Sequence, residues 1–203
     1  NLLSDNANVA KIDQENFSND GKLSHDWSAG KTSLRVGYAQ FIEDRRETEY
    51  EIGFDDGGDP SEFEGTLMQT DIKDREFSVK LDHEVPLNDA VKFVFGGFYQ
   101  DKNRRNILSD ADQDDEGPMA WDQFAQNPTD LAVPFDPVQP VDGGDNRIRE
   151  KRRDAFALIE GDTGSQKWEA GLRYEHTKVR IEDYTVSAAL QQQRTGYDAW
   201  LPP

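Results

Sequence analysis

The last third of the chain carries the pattern that most restricts its fold. Over residues 153–184, two runs of alternating polar and apolar residues flank a short turn at 162–166. In the second run, one set of alternate positions is apolar: Trp168, Ala170, Leu172 and Tyr174. The other set is mostly polar: Glu169, Gly171, Arg173 and Glu175. A period of two predicts a β-strand with two unlike faces. Because the polar face is heavily charged and the strand ends are polar, the pattern favours a long antiparallel ladder that rises from an apolar zone into water.

The same alternation recurs upstream and predicts a meander of hairpins. We expect strands over about 17–27, 32–43, 63–85, 91–103, 149–161 and 167–184, and a partial seventh strand at Tyr197. The remaining long segments are predicted to be loops: 1–16, 44–61, 104–147 and 185–196. The connections therefore alternate between short and long, as in transmembrane barrels, where one rim has short turns and the other has long loops. A soluble meander is equally compatible with these loop lengths.

Charge and composition exclude several classes of function. The chain has 41 acidic and 23 basic residues, a net charge of −18, which argues against nucleic-acid binding because phosphate contacts need a basic surface. It has no cysteine, so it has neither disulfides nor a Cys-ligated metal site. Aromatic residues make up 10% of the chain, which disfavours disorder. There is no run of about 18 apolar residues, so no transmembrane helix is predicted. The polar start without Met suggests an excised piece of a longer protein.

Two motifs near the end of the chain resemble a known family. They read WEAGLRYEHTKV, from Trp168, and YDAWLPP, from Tyr197. Their order resembles the barrel of TonB-dependent outer-membrane receptors, where aromatic-x-x-Gly-[Leu/Val]-Arg-[Tyr/Phe]-Glu-x-Thr precedes Tyr-x-x-[Phe/Trp]-Leu-Pro. The matching positions are Trp168, Gly171, Leu172, Arg173, Tyr174, Glu175, Thr177, Tyr197, Trp200, Leu201 and Pro202. The family usually has Ser where this chain has Pro203, and the residue-level match covers about 149–203.

The resemblance implies a fold, a location and a function. Residues 1–203 would be a partial transmembrane β-barrel segment, all-β and antiparallel, with about six to seven strands and without the plug domain. It would belong to a receptor in the outer membrane of a Gram-negative bacterium, for energy-coupled uptake of a siderophore, cobalamin, carbohydrate or metal complex, without enzymatic activity. Its partners would be that small-molecule nutrient, outer-membrane lipid and lipopolysaccharide, and an inner-membrane energy-transducing protein reached through the absent N-terminal region. The alternatives are a soluble β-sandwich or jelly-roll module that binds carbohydrate, and a secreted all-β enzyme.

Aromatic and basic residues of the long predicted loop are candidate ligand contacts. Trp121, Phe124 and Phe135 lie in a polar segment, where aromatic rings either stack on a sugar or siderophore or pin the loop to the rim. Arg104 and Arg105, like the clusters at 45–46 and 151–153, lie near the long-loop ends of their strands. These bases would meet lipopolysaccharide phosphates or an anionic ligand, or they would pair with neighbouring acids.

One acidic segment partly matches a calcium loop, and Asp55, Asp56 and Asp59 form a similar acidic tip. Asp110, Asp112 and Asp114 occupy alternate positions, as the first ligands of such a loop do. Asp115 and Trp121 stand where the loop needs Gly and Glu. A solvated acidic segment is therefore the favoured interpretation.

Overall fold

The chain forms one antiparallel sheet. A computed structural model describes residues 4–113, 135–188 and 190–202. Its strands are β1 (Ser4–Trp27), β2 (Gly30–Phe54), β3 (Pro60–Asn88), β4 (Val91–Gln113), β5 (Gln139–Pro140), β6 (Asn146–Asp162), β7 (Lys167–Asp183) and β8 (Gln192–Leu201). They pair in the order β1-β2-β3-β4-β6-β7-β8, and the short β5 pairs with β4 alone. The predicted all-β antiparallel meander is confirmed, with no helix in the described ranges; the sheet is open, with β1 and β8 at its edges.

Several strands are much longer than the sequence predicted. Residues 4–16 and 44–54, predicted as loops, pair with each other as the outer halves of β1 and β2. Residues 104–113, also predicted as loop, continue β4 beside β3. These predictions were wrong because most side chains of these segments are polar, and alternation of apolar residues is confined to short stretches such as Tyr50, Ile52 and Phe54 at the end of a charged run. Ladder hydrogen bonds and polar cross-strand pairs hold them instead; one example is the amide of Asn8, which donates to Glu47 at 2.9 Å.

The connections divide the sheet into two ends. At the short-turn end, the strands are joined by residues 28–29, 89–90 and 163–166. At the long-connection end, they are joined by residues 55–59, 114–145 and 184–191. The three predicted short turns are present, whereas the first long connection, predicted over 44–61, is reduced to residues 55–59. Gly30 closes the first tight turn with a φ of 143°, and a Cβ there would collide with the backbone carbonyl of Glu84.

The register assigns every side chain to one of two faces, because directly paired residues point to the same side of a sheet. One row crosses all seven long strands through Leu23, Leu34, Leu81, Gly97, Ala155, Tyr174 and Trp200. We name the side that carries this row the apolar face and the opposite side the charged face. Five buried polar residues lie on the charged face: Ser33, Asp82, Asp154, Glu175 and Thr177. Polar burial and apolar exposure reverse the usual arrangement of a protein in water.

A cluster of buried apolar side chains lies near the long-connection end of the described sheet. Tyr50, Ile52 and Phe63 are buried on the apolar face, and Phe135 packs against them. The ring centroids of Tyr50 and Phe63 are 5.8 Å apart, and those of Tyr50 and Phe135 are 5.9 Å apart. We name these four residues the loop-end core.

Candidate functional site: an apolar band backed by charge

The apolar face carries a continuous band next to the short-turn end. The band comprises alternate residues of each long strand: Leu23–Trp27 in β1, Gly30–Tyr38 in β2, Phe77–Val85 in β3, Val91–Tyr99 in β4, Ala155–Gly161 in β6, Trp168–Tyr174 in β7 and Trp200 in β8. On this face the band contains no Asp, Glu, Lys or Arg, although 32% of the chain is charged. Its large side chains stay open to the surroundings; Leu81, for example, is 51% exposed.

Aromatic residues border this band on both sides. Trp27 and Trp168 lie at the short-turn border. The opposite border holds Tyr38, Phe77, Tyr99, Tyr174 and Trp200, of which Tyr174 and Trp200 have ring centroids 5.1 Å apart. Rings with one apolar and one polar part collect at boundaries between an apolar and an aqueous medium.

From β2 to β7, the second border shifts stepwise toward the short-turn end of the sheet. On β2, β3, β4, β6 and β7 it follows Tyr38, Phe77, Tyr99, Ala155 and Tyr174. Tyr38 and Phe77 are direct partners, whereas Tyr99 lies two residues nearer the short-turn end than the β4 partner of Phe77. Ala155 lies two residues nearer that end than the β6 partner of Tyr99, and Ala155 and Tyr174 are direct partners. The border therefore moves by four residues over four steps between strands, about one residue per strand.

On the charged face, behind the band, the carboxylate of Glu175 is the centre of a network of polar contacts. This carboxylate is 5% exposed. It meets the guanidinium nitrogens of Arg152 at 2.8 Å and Arg173 at 3.2 Å. It also accepts hydrogen bonds from the hydroxyls of Thr177 at 3.2 Å and Tyr197 at 3.1 Å. The carboxylate is thus fully engaged in a network across β6, β7 and β8.

A pocket of about 380 Å³ opens on the charged face beside this network. Three cations and two aromatic rings contribute to its lining: Lys80, Arg152, Arg173, Phe98 and Phe156. The amine of Lys80 lies 5.1 Å from the ring centre of Phe156, and the guanidinium of Arg152 lies 5.6 Å from that of Phe98. Asp154 also lines the pocket and pairs with Arg152 at 2.7 Å and Arg173 at 3.5 Å, so the charges of these two cations are balanced within the wall.

The predicted ligand-binding residues do not meet at this pocket. Phe135 lies in the loop-end core. Arg104 is exposed on the charged face, while its neighbour Arg105 lies on the apolar face, with a nitrogen 3.2 Å from Asp145 and the guanidinium 5.4 Å from the ring centre of Tyr184. Trp121 and Phe124 lie outside the described residues. Ligand contact by these side chains stays a prediction.

The predicted calcium ligands Asp110 and Asp112 lie in a strand, not in a loop. Both belong to the charged face of β4, and Asp112 accepts a hydrogen bond from the hydroxyl of Thr66 at 3.2 Å. Asp114 lies outside the described residues. Within the ranges that the structure describes, no three metal-ligating side chains come together.

Sequence reasoning missed the Glu175 network and the continuity of the band. Arg173 and Glu175 were recognised as one polar strand face, but their partners Arg152 and Tyr197 lie on other strands. Only the pairing of β6 with β7 and of β7 with β8 brings these side chains together. In the sequence Arg152 lies between Lys151 and Arg153, so no local pattern singled it out.

No protein-family model and no curated protein matches the chain. Among the described residues, there is no helix with the length and apolar character required to traverse a lipid bilayer.

Proposed function

We propose that this chain forms part of the wall of an outer-membrane β-barrel of the TonB-dependent receptor type, which takes up a scarce nutrient in a Gram-negative bacterium. The observation that carries the proposal is the uncharged band on one face of a sheet whose other face is charged. A lipid-facing surface requires such a band, because burying a charged side chain in hydrocarbon is costly.

The dimensions of the band support this assignment. Its apolar stretches Phe77–Val85 and Val91–Tyr99 are each nine residues long, close to the roughly 9–11 residues of a membrane-spanning strand. Nine residues extend about 30 Å along a strand. With the strand tilt derived below, they cover about 25 Å along the membrane normal, the height of the apolar belt of such barrels.

The slope of the band border supports a cylinder with tilted strands. A membrane surface is level, so a border that crosses the strands obliquely measures their inclination. A shift of one residue, about 3.3 Å, for each step of about 4.8 Å between strands corresponds to a tilt of about 35°. Closed barrels have strand tilts of roughly 35–45°. Closure requires further strands beside β1 and β8, which would also pair their open edges.

In this arrangement the charged face lines the lumen. The Glu175 network cross-links β6, β7 and β8 and stiffens the wall. Uptake would proceed by gating, driven through an inner-membrane energy-transducing partner, rather than by covalent catalysis.

Membrane fractionation tests the proposal directly. The full-length protein should be recovered with the outer membrane, resist extraction by alkaline carbonate, and migrate differently on gels before and after heating. Energy-dependent uptake of the nutrient should disappear when the gene that encodes this protein is deleted. Recovery as a soluble monomer would contradict the proposal and favour a β-sandwich, in which the band packs against a second sheet.

A further inference from the structure

Three basic residues lie directly opposite one another on the charged face. Lys22 of β1 is paired with Arg35 of β2, and Arg35 is paired with Lys80 of β3. We name these three residues the basic row. Directly opposed side chains have Cβ atoms about 5 Å apart, so like charges at such positions repel each other. An anion bound across the row would remove this repulsion.

Carboxylates of the same chain compensate the basic row only weakly. The amine of Lys80 lies 3.9 Å from Asp82, a long distance for an ion pair. For Lys22 and Arg35, no carboxylate of the described residues lies within 4.0 Å. Both side chains are exposed. These two bases are therefore open to an external anion.

The basic row leads directly into the pocket behind the band. Lys80 belongs both to the row and to the lining of this pocket of about 380 Å³, and its partner on β4 is Phe98. Phe156 and Leu158 of β6 also line the pocket, so an apolar floor lies beside the bases. Small-molecule sites combine such an apolar lining with a few well-placed polar groups.

The local charge of this region differs in sign from that of the chain. The basic row and the two adjoining rows of the charged face, followed from β1 to β8, hold five bases and four acids: Lys22, Arg35, Lys80, Arg152 and Arg173, and Asp20, Asp82, Asp154 and Glu175. Five bases minus four acids leave +1, against −18 for the whole chain. Because Arg152 and Arg173 are paired with Asp154 and Glu175, the excess charge lies on the basic row. A ligand with one anionic group matches this excess.

We propose that the basic row and the pocket together bind a small aromatic carboxylate, with its carboxylate between Arg35 and Lys80 and its ring over Phe98 and Phe156. This inference rests on the proposed function, which places the site on the lumen wall behind the band. Arg35 and Phe98 lie two strand spacings apart, about 10 Å, so one small molecule can reach both. A guanidinium forms charge-assisted hydrogen bonds with a carboxylate, and aromatic rings stack on one another.

The test measures binding of naphthoate, an aromatic carboxylate, by the full-length protein in lipid nanodiscs, with binding by empty nanodiscs subtracted. The row variant K22Q/R35Q removes two charges and leaves no described carboxylate without its partner. The matched control R75Q/K178Q removes two exposed charges from the apolar face, and those residues also lack a described ion pair. Heat-modifiable gel migration verifies that every variant is folded.

A second pair of variants tests the rings. F98L/F156L keeps apolar side chains in the pocket but removes both rings. Its control, F41L, removes a ring that is equally half-buried on the charged face but lies outside this pocket. Two further probes separate charge from ring: naphthylmethylammonium carries the ring with a positive charge, and cyclohexanecarboxylate carries the carboxylate without an aromatic ring.

We expect the row variant to bind naphthoate about ten-fold more weakly than the wild type, the ring variant about five-fold more weakly, and both controls to stay within about two-fold. The wild type should prefer naphthoate to both other probes. Wild-type binding should also weaken as salt rises, because salt screens exposed charges.

Three results would overturn the inference: equal affinities for the row variant and its control, equally tight binding of naphthylmethylammonium, or no saturable binding of naphthoate by the wild type. Outer-membrane recovery, measured separately, distinguishes failure of this inference from failure of the proposed function.

Discussion

The apolar face buries its large side chains at one end of the sheet and exposes them at the other, although the same strands run through both ends. Near the long-connection end, the apolar face buries Tyr50, Ile52 and Phe63 beneath Phe135, as a protein in water does. Near the short-turn end, the same face leaves Leu81 and Trp168 exposed, while Asp154 and Glu175 are buried behind them. Under the proposed function, the apolar face contacts water near the long-connection end and lipid near the short-turn end.

The proposed function accounts for the low apolar content of an ordered chain. Only 34% of its residues are hydrophobic, too few for a large central core. In a membrane wall, however, lipid covers the apolar side chains and each strand needs only one apolar residue in two. Hydrophobic content is concentrated in the band, and the polar outer halves of the strands extend into water.

The largest effect is expected from Phe63→Ala in the loop-end core. Phe63 is fully buried, and truncation of a buried Phe costs about 3–5 kcal/mol. Amide hydrogen exchange should accelerate in the outer parts of β2 and β3 and remain slow in the band. Acceleration of equal size in both regions would show that the two ends unfold as one unit. Ile12→Ala, at an exposed position, is the control.

A slightly smaller loss is expected when the Glu175 network is broken. Glu175→Ala leaves Arg152 and Arg173 short of a carboxylate and should cost about 3 kcal/mol, the lower part of the range for a broken buried pair, because both arginines are partly exposed. Asp101→Ala, which breaks the exposed pair with Lys151, should cost less than about 1 kcal/mol. Denaturant unfolding of the vesicle-embedded protein measures the loss of unfolding free energy in both variants. Equal losses would show that the Glu175 network does not stabilise the sheet.

A third prediction compares two single variants that place an arginine on opposite faces of β2. Val36→Arg puts a charge into the band, off its centre, and should destabilise the vesicle-embedded protein by about 2 kcal/mol. Ala39→Arg puts the same charge on the opposite face, at an exposed position, and should cost less than about 1 kcal/mol. The same unfolding experiment applies. If the two variants are equally stable, the band does not face lipid.

The smallest effect concerns a pair of facing carboxylates outside the band. Asp71 lies directly opposite Asp44. Its side chain is exposed, but partial desolvation, followed by the interactions with Asp44, raises the pKa of Asp71. A raised carboxyl pKa means that the folded state binds this proton more tightly, so the pair destabilises the fold above that pKa and ceases to do so as the pH falls through it.

Asp71→Asn should therefore stabilise the protein at neutral pH, and its advantage over the wild type should shrink as the medium is acidified. Unfolding curves recorded across this pH range measure the difference. The control Asp56→Asn lies in an exposed turn. A pH-independent advantage of Asp71→Asn would contradict the assigned cause.

The sequence predicted the inner part of the sheet well and the outer part poorly. The predicted strand 167–184 agrees with Lys167–Asp183, because alternating apolar residues mark it. Residues 4–16 carried no such mark, since backbone pairing with β2 is what makes them a strand. Local patterns report the side chains of one strand, whereas pairing depends on its neighbour.

The candidate site needed the register for the same reason. Arg105 and Arg153 are visible in the sequence as members of basic clusters. Their common face, and their distance from the acids of the other face, emerge only when β4 is aligned with β6. The role of Phe135 was likewise open, because its contact with Tyr50 joins segments 85 residues apart in the chain.

Tryptophan fluorescence in brominated lipids tests most directly whether the band faces a membrane. Three of the four tryptophans, Trp27, Trp168 and Trp200, border the band and are 58%, 46% and 70% exposed. In the full-length protein, band-directed quenching is isolated by comparing Trp121→Phe with a variant in which these three residues are also Phe. We expect bilayers with brominated acyl chains to quench the fluorescence of these three residues strongly and aqueous acrylamide to quench it weakly. Strong acrylamide quenching without an effect of the brominated lipid would contradict a lipid-facing band.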